Sequence, residues 1–196
     1  MYNKLNITET HLRMLSLFTK GFNKEYYIRE ASRLLDVSPR TAQLILDDLE
    51  KKTVLESAAR GKIKIYKIKK TEITQFYLTL AEQYKTTSFL EKKPLIREII
   101  SKISPFVDGI GAIFGSYAKG IEKKESDIDI FVGGKYSRKE IEKVSGLFGL
   151  HVSVKNYPPE IFKKNFKNDI LIREITENHI LFRGAEDFVK TALENG

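Results

Sequence analysis

Cysteine is missing altogether from this 196-residue chain, which rules out disulfides and thiolate-bound zinc as sources of order or chemistry. Also missing is any run near the eighteen or so consecutive apolar residues of a membrane span. The opening "MYNKLNITETHLRML" lacks the basic-then-apolar pattern of a secretory signal. A cytoplasmic protein with no membrane partner is expected. No internal repeat or low-complexity segment is present. Two thirds of the chain also lack a charge excess: residues 71–196 hold 19 Lys+Arg against 18 Asp+Glu. Of the net charge of +8, +7 therefore sits in residues 1–70, where 15 basic residues meet 8 acidic ones. A basic third of this kind suits an anionic partner. The remaining composition, 41% hydrophobic and 31% charged, is that of a globular protein with a full core.

The basic third carries helical periodicity. In "ETHLRMLSLFTK" Leu12, Leu15 and Phe18 fall on one face, and Gly21 is a natural stop. "YIREASRLLDVS" places Ile28, Ala31 and Leu35 likewise, with a tight turn at Asp36-Val37. "SPRTAQLILDDLEKK" then opens with Ser38 as N-cap and Pro39 at the first helical position. Ala42, Ile45, Leu46 and Leu49 make its buried stripe, opposite Arg40, Thr41, Gln43 and Asp47. "TVLESAARGKIKIYKIKK" reads as a hairpin turning near Arg60-Gly61-Lys62, with Ile63, Ile65 and Ile68 alternating with lysines around Tyr66.

Three short helices followed by a basic hairpin resemble winged helix-turn-helix DNA-binding domains, over roughly residues 8–70. The resemblance implies that the third helix enters the major groove of double-stranded DNA and that the hairpin is the wing. Arg40, Thr41 and Gln43 would then face bases or phosphates, and Arg60, Lys62 and Lys64 would neutralise phosphates. A protein-interaction module with a solvated lysine edge remains the other reading of the same pattern.

Residues 71–93 are read as a linker. "TEITQFYLTLAEQYK" carries a wide apolar stripe of Ile73, Phe76, Tyr77, Leu80, Ala81 and Tyr84. It suits either a homodimer through 72–84 or packing within the chain. "KTTSFLEKK", 85–93, is read as the joint between domains, and Pro94 begins another helix.

The most informative stretch is "FGSYAKGIEKKESDIDIF", residues 114–131. A strand over 106–114 breaks at Gly115-Ser116, and a second strand, 126–132, follows. Strand alternation puts Asp127 and Asp129 on one face and Ile128 and Ile130 on the other. Adjacent carboxylates repel each other unless a divalent cation lies between them. Gly115 and Ser116 would turn backbone N–H groups and a hydroxyl toward a phosphate. Magnesium prefers a couple of carboxylates plus phosphate oxygens, so the parts suit one nucleoside triphosphate.

This Gly-Ser, ten residues, Asp-x-Asp spacing resembles the DNA polymerase β-like nucleotidyltransferase superfamily, most closely its minimal prokaryotic members, over roughly 94–190. The resemblance implies an α+β chain: a winged helix over 1–70, the linker helix, and a mixed sheet with packed helices over 94–196. It implies Mg2+ or Mn2+ with a triphosphate such as ATP, metal ligands and catalytic carboxylates at Asp127 and Asp129, and phosphate contacts from Gly115, Ser116 and Lys119. Catalytic members carry a third carboxylate on a following strand, as general base and metal ligand.

Here that strand, 149–157, offers His151 or Ser153 instead, after a helix expected to open with a Ser137/Glu140 capping box. Glu160, Asp169 and Glu174 are the acids further on. The expected function is a DNA-binding regulator that senses a nucleotide with weak or no transfer. The alternative is an active transferase acting on a protein or small-molecule acceptor.

Overall fold

The computed structural model describes residues 6–195, which divide into two compact units between Ala81 and Glu82. The first holds α1 (Glu9–Phe18), β1 (Tyr26–Tyr27), α2 (Ile28–Leu35), α3 (Pro39–Lys51), β2 (Leu55–Arg60) and β3 (Ile63–Ile68). Helix α4 (Glu72–Lys92) begins in the first unit and ends in the second. The Ser38 side chain accepts from the Thr41 amide at 3.0 Å, with Pro39 next to it, so α3 starts as its sequence dictates. Before it, Asp36 takes a left-handed conformation, φ 54°, which makes the tight turn out of α2. Met14, Phe18, Ala31, Leu35, Ala42, Leu46 and Leu49 form buried helix faces, and the sheet runs β1-β3-β2, antiparallel throughout. Three helices, the turn at Asp36 and the hairpin follow in the order read from the sequence.

Two details differ from the expectation. In β3 the buried residues are Tyr66 and Ile68, while Ile63 is exposed. Period-two alternation puts Lys64 on the same face as Tyr66, and both reach α3: the Tyr66 hydroxyl donates to Asp47 at 2.6 Å, and Lys64 pairs with Asp47 and Glu50 at 3.0 and 2.7 Å. Polar partners on α3 thus outweigh the apolar preference of the isoleucines. In α4, Thr74, Tyr77, Leu78 and Ala81 are buried, but Ile73, Phe76 and Leu80 face outward. The stretch 85–93, expected to be a joint, is helical through Lys92, because Phe89 and Leu90 pack against an apolar core.

The second unit continues with α5 (Pro94–Ile103), β4 (Val107–Phe114), α6 (Gly115–Lys119), β5 (Ile128–Tyr136), α7 (Arg138–Phe148) and β6 (Val152–Tyr157). Then come α8 (Pro159–Asn165), α9 (Ile170–Glu177), β7 (Ile180–Arg183) and α10 (Ala185–Asn195). Its four-stranded mixed sheet has the order β6-β5-β4-β7, with β5 and β6 parallel and the other pairs antiparallel. One face carries Ile113, Ile128, Ile130 and Val132 and packs on Ile96, Ile99, Ile100 and Ile103 of α5 and Ile141 and Val144 of α7. On the other, Phe131 meets Phe162 and Tyr157, at ring-centroid distances of 5.3 and 5.9 Å, and the cluster extends through Phe166 and Phe188. Ser137 precedes α7 but its side chain makes no cap bond, so the expected capping box does not form. This unit is a mixed α+β fold, a four-stranded sheet with helices packed on it. Among the described residues no helix is long and apolar enough to cross a membrane.

Candidate functional site

In the second unit, antiparallel pairing sets Phe114, the last residue of β4, opposite Asp129. The chain must turn sharply at Gly115, and does so with φ 67°. A Cβ there would stand 2.5 Å from Asp129 Oδ2, so any other residue would be strained in backbone and would displace the Asp129 carboxylate. Ser116 follows in α6, whose end is closed by Gly120 at φ 69°. The Ser116 carbonyl accepts from the Ile121 amide at 3.1 Å. Gly115, Ser116 and Asp129 are thus brought together by the β4–β5 register.

Asp127 stands just before β5 and is exposed; its Oδ2 lies 3.2 Å from His151 Nδ1. His151 is just ahead of β6, its carbonyl accepting from the Ile128 amide at 2.9 Å. The parallel register then places Ser153 beside Asp129. The strand position where a third carboxylate was sought therefore holds a hydroxyl. Burial raises the Asp129 carboxyl above the ordinary aspartate range, and the negative charges of Asp127 and Glu174 push the same way. Lys155 and the Ser153 hydroxyl oppose this without cancelling it.

Glu174, one of the three acids named further along the chain, belongs to α9. It also accepts from Lys119 Nζ at 2.6 Å, so the lysine expected on a phosphate is held by a carboxylate. Among the described residues no group of three or more His, Cys, Asp or Glu side chains is spaced to hold a metal ion. The donor set on offer is the Asp127/Asp129 pair. Its electrostatics suit a cation, since a positive ion beside Asp129 would relieve the repulsion that raises its carboxyl.

In the first unit, α2, the start of α3 and the hairpin border a cleft of about 820 Å3. Arg40, Gln43, Lys62 and Lys64 of the expected DNA-contacting set line it, together with Arg29 and Arg33, which the sequence reading passed over. Thr41 and Arg60 do not. Thr41 is engaged by Ser38, and Arg60 pairs with Glu25 at 3.1 Å. The i, i+4 spacing of Arg29 and Arg33 puts them on one helix face, a signal available in the sequence once α2 is taken as a wall rather than a support.

The nucleotidyltransferase domain family matches residues 93–181, which span α5 to β7. No curated protein matches the chain. One solved structure, described as that of TrmBL2, an archaeal chromatin protein that shows a novel mode of DNA binding, is 14% identical with a TM-score of 0.31. The similarity covers 89% of this chain and 72% of that one, and is too low to establish a shared fold.

Proposed function

We propose that this chain is a DNA-binding regulator whose nucleotidyltransferase-like domain binds a magnesium nucleoside triphosphate, with weak or no transfer of the nucleotide. The observation that carries the proposal is the pairing of Asp129 with the Gly115 turn, with a hydroxyl, Ser153, where catalysis calls for a carboxylate. In this reading Asp127 and Asp129 hold Mg2+ or Mn2+, and Gly115 and Ser116 seat the phosphates of a triphosphate such as ATP. A bound divalent ion would neutralise phosphate charge there. Lys119 would leave Glu174 to meet a phosphate. Arg40, Gln43 and Lys62 serve double-stranded DNA from the basic cleft, and the outward face of Ile73, Phe76 and Leu80 is the one a second copy would cover in a dimer.

One observation favours active transfer onto a protein or small-molecule acceptor instead. Glu174 brings a third carboxylate charge to Asp129 from a helix rather than a strand. The two readings separate on incubation of the full chain with α-labelled triphosphates, Mg2+ or Mn2+, and cell extract. Retained, metal-dependent binding without labelled product is the expected result. Labelled product that disappears in Asp127→Asn/Asp129→Asn would establish transfer and refute the sensor reading.

A further inference from the structure

The cleft of the first unit has a charge pattern that its expected DNA-contacting residues do not explain. Four of its cations, Arg29 and Arg33 on α2, Arg40 on α3 and Lys62 at the hairpin turn, are exposed and make no side-chain hydrogen bond or ion pair among the described residues. No carboxylate lines the cleft. The remaining hairpin cations are committed elsewhere: Lys64 to Asp47 and Glu50, Arg60 to Glu25, and Lys67 to Glu56 at 3.1 Å. Like charges converging on one concavity repel each other, and an anionic ligand removes that repulsion. A solvated surface would instead scatter them among acids, as the outer hairpin does.

We propose that Arg29 and Arg33 of α2 are phosphate contacts that grip one strand of a DNA duplex in this cleft, with Lys62 on the opposite wall. The hairpin cations Arg60 and Lys64, each already paired with carboxylates of the fold, add less to binding. The inference rests on the DNA-binding reading above and reassigns which residues perform it. Arg29 and Arg33 lie one helical turn apart, about 6 Å along the axis, a spacing that lets them reach neighbouring phosphates of one strand. Guanidinium groups also suit phosphate oxygens through their fixed, paired donors.

The test is fluorescence anisotropy of a labelled mixed-sequence duplex of about 30 base pairs, titrated with the full-length protein across a salt series. Each neutralised phosphate contributes about 0.9 to the slope of log K against log salt. Arg29→Ala/Arg33→Ala should lower that slope by nearly 2 and weaken binding about 10- to 100-fold at low salt. Arg29→Lys/Arg33→Lys, which keeps the charge, should recover most of the slope. Lys139→Ala/Lys190→Ala removes two charges from the second unit and should leave the slope unchanged. An unaltered slope in Arg29→Ala/Arg33→Ala, with the wild type binding duplex, overturns this inference alone. A wild type that binds no duplex at any salt refutes the DNA-binding reading itself, and the inference with it.

Discussion

Gly115 and Asp129 lie so close across the β4–β5 pair that a single methyl group on Gly115 would stand 2.5 Å from the Asp129 carboxylate. The turn and the carboxylate are therefore one structural unit. Gly115→Ala should abolish triphosphate binding and cost about 1–3 kcal/mol through the combined conformational strain and collision. Gly120→Ala has a similar positive φ but open space around it, so it should cost only about 1 kcal/mol and leave binding intact. Thermal melts with a parallel triphosphate titration compare the two. Equal loss of binding in both would mean that backbone strain, not contact with Asp129, sets the site.

Asp129 should trade stability for binding. Its carboxyl is raised by burial first and then by Asp127 and Glu174. A group with a raised folded-state pKa favours the fold below its unfolded value and opposes it as pH rises through the folded value. In chelator and without nucleotide, Asp129→Asn should therefore melt higher than wild type at pH 7, with the gain gone at pH 3. A lower melting temperature at pH 7 would show that the ionised carboxylate supports the fold.

Away from the site, Glu82 and His179 are both buried, with His179 Nε2 3.0 Å from Glu82 Oε2 and Lys85 Nζ 2.7 Å from Glu82 Oε1. Burial alone would raise the Glu82 carboxyl, but the charges of His179 and Lys85 more than reverse this and hold it at about 2. A depressed carboxylate contributes stability that is present above its unfolded value of 4.5 and is lost as pH falls toward 2. Glu82→Gln should cost about 3–5 kcal/mol at pH 7, as expected for breaking a buried pair. Its stability should also fall less steeply than wild type between pH 4.5 and 2. Denaturant unfolding at a series of pH values checks both; parallel profiles would dismiss the pair as a source of acid sensitivity.

Tyr66 is buried and donates to Asp47, and burial together with that carboxylate pushes its phenol up to about 12. Tyr66→Phe should lose about 1–3 kcal/mol, because the Asp47 oxygen loses a donor. Spectroscopic titration of the wild type should show a step well after the exposed tyrosines that is missing in Tyr66→Phe. A variant as stable as wild type would remove the hydroxyl from the account of how the hairpin is held to α3.

What the sequence made legible follows from where the information is stored. Helix α3 announces itself through Ser38-Pro39 and its apolar spacing, and the Gly115–Ser116 turn and Asp127-x-Asp129 pair lie within one short stretch. Contacts that arise only on folding were not legible. Glu174 binds Lys119 from α9 and adds its charge to the surroundings of Asp129, and His151 reaches Asp127 from the loop before β6. In β3 the sequence showed isoleucines alternating with lysines, yet Tyr66 and Ile68 are the buried residues, with Tyr66 and the exposed Lys64 tied to Asp47. The polar stretch after Tyr84 looked like a joint, but Phe89 and Leu90 keep α4 helical by packing against the core.

The most direct test of the central claim is calorimetric titration of the full-length protein with ATP in Mg2+ and in chelator, beside Asp127→Asn/Asp129→Asn. Binding that requires Mg2+ and disappears in the double variant, with its melting transition intact, is the result predicted. Binding of equal strength in the double variant would contradict the assignment of Asp127 and Asp129 to a metal-bound triphosphate.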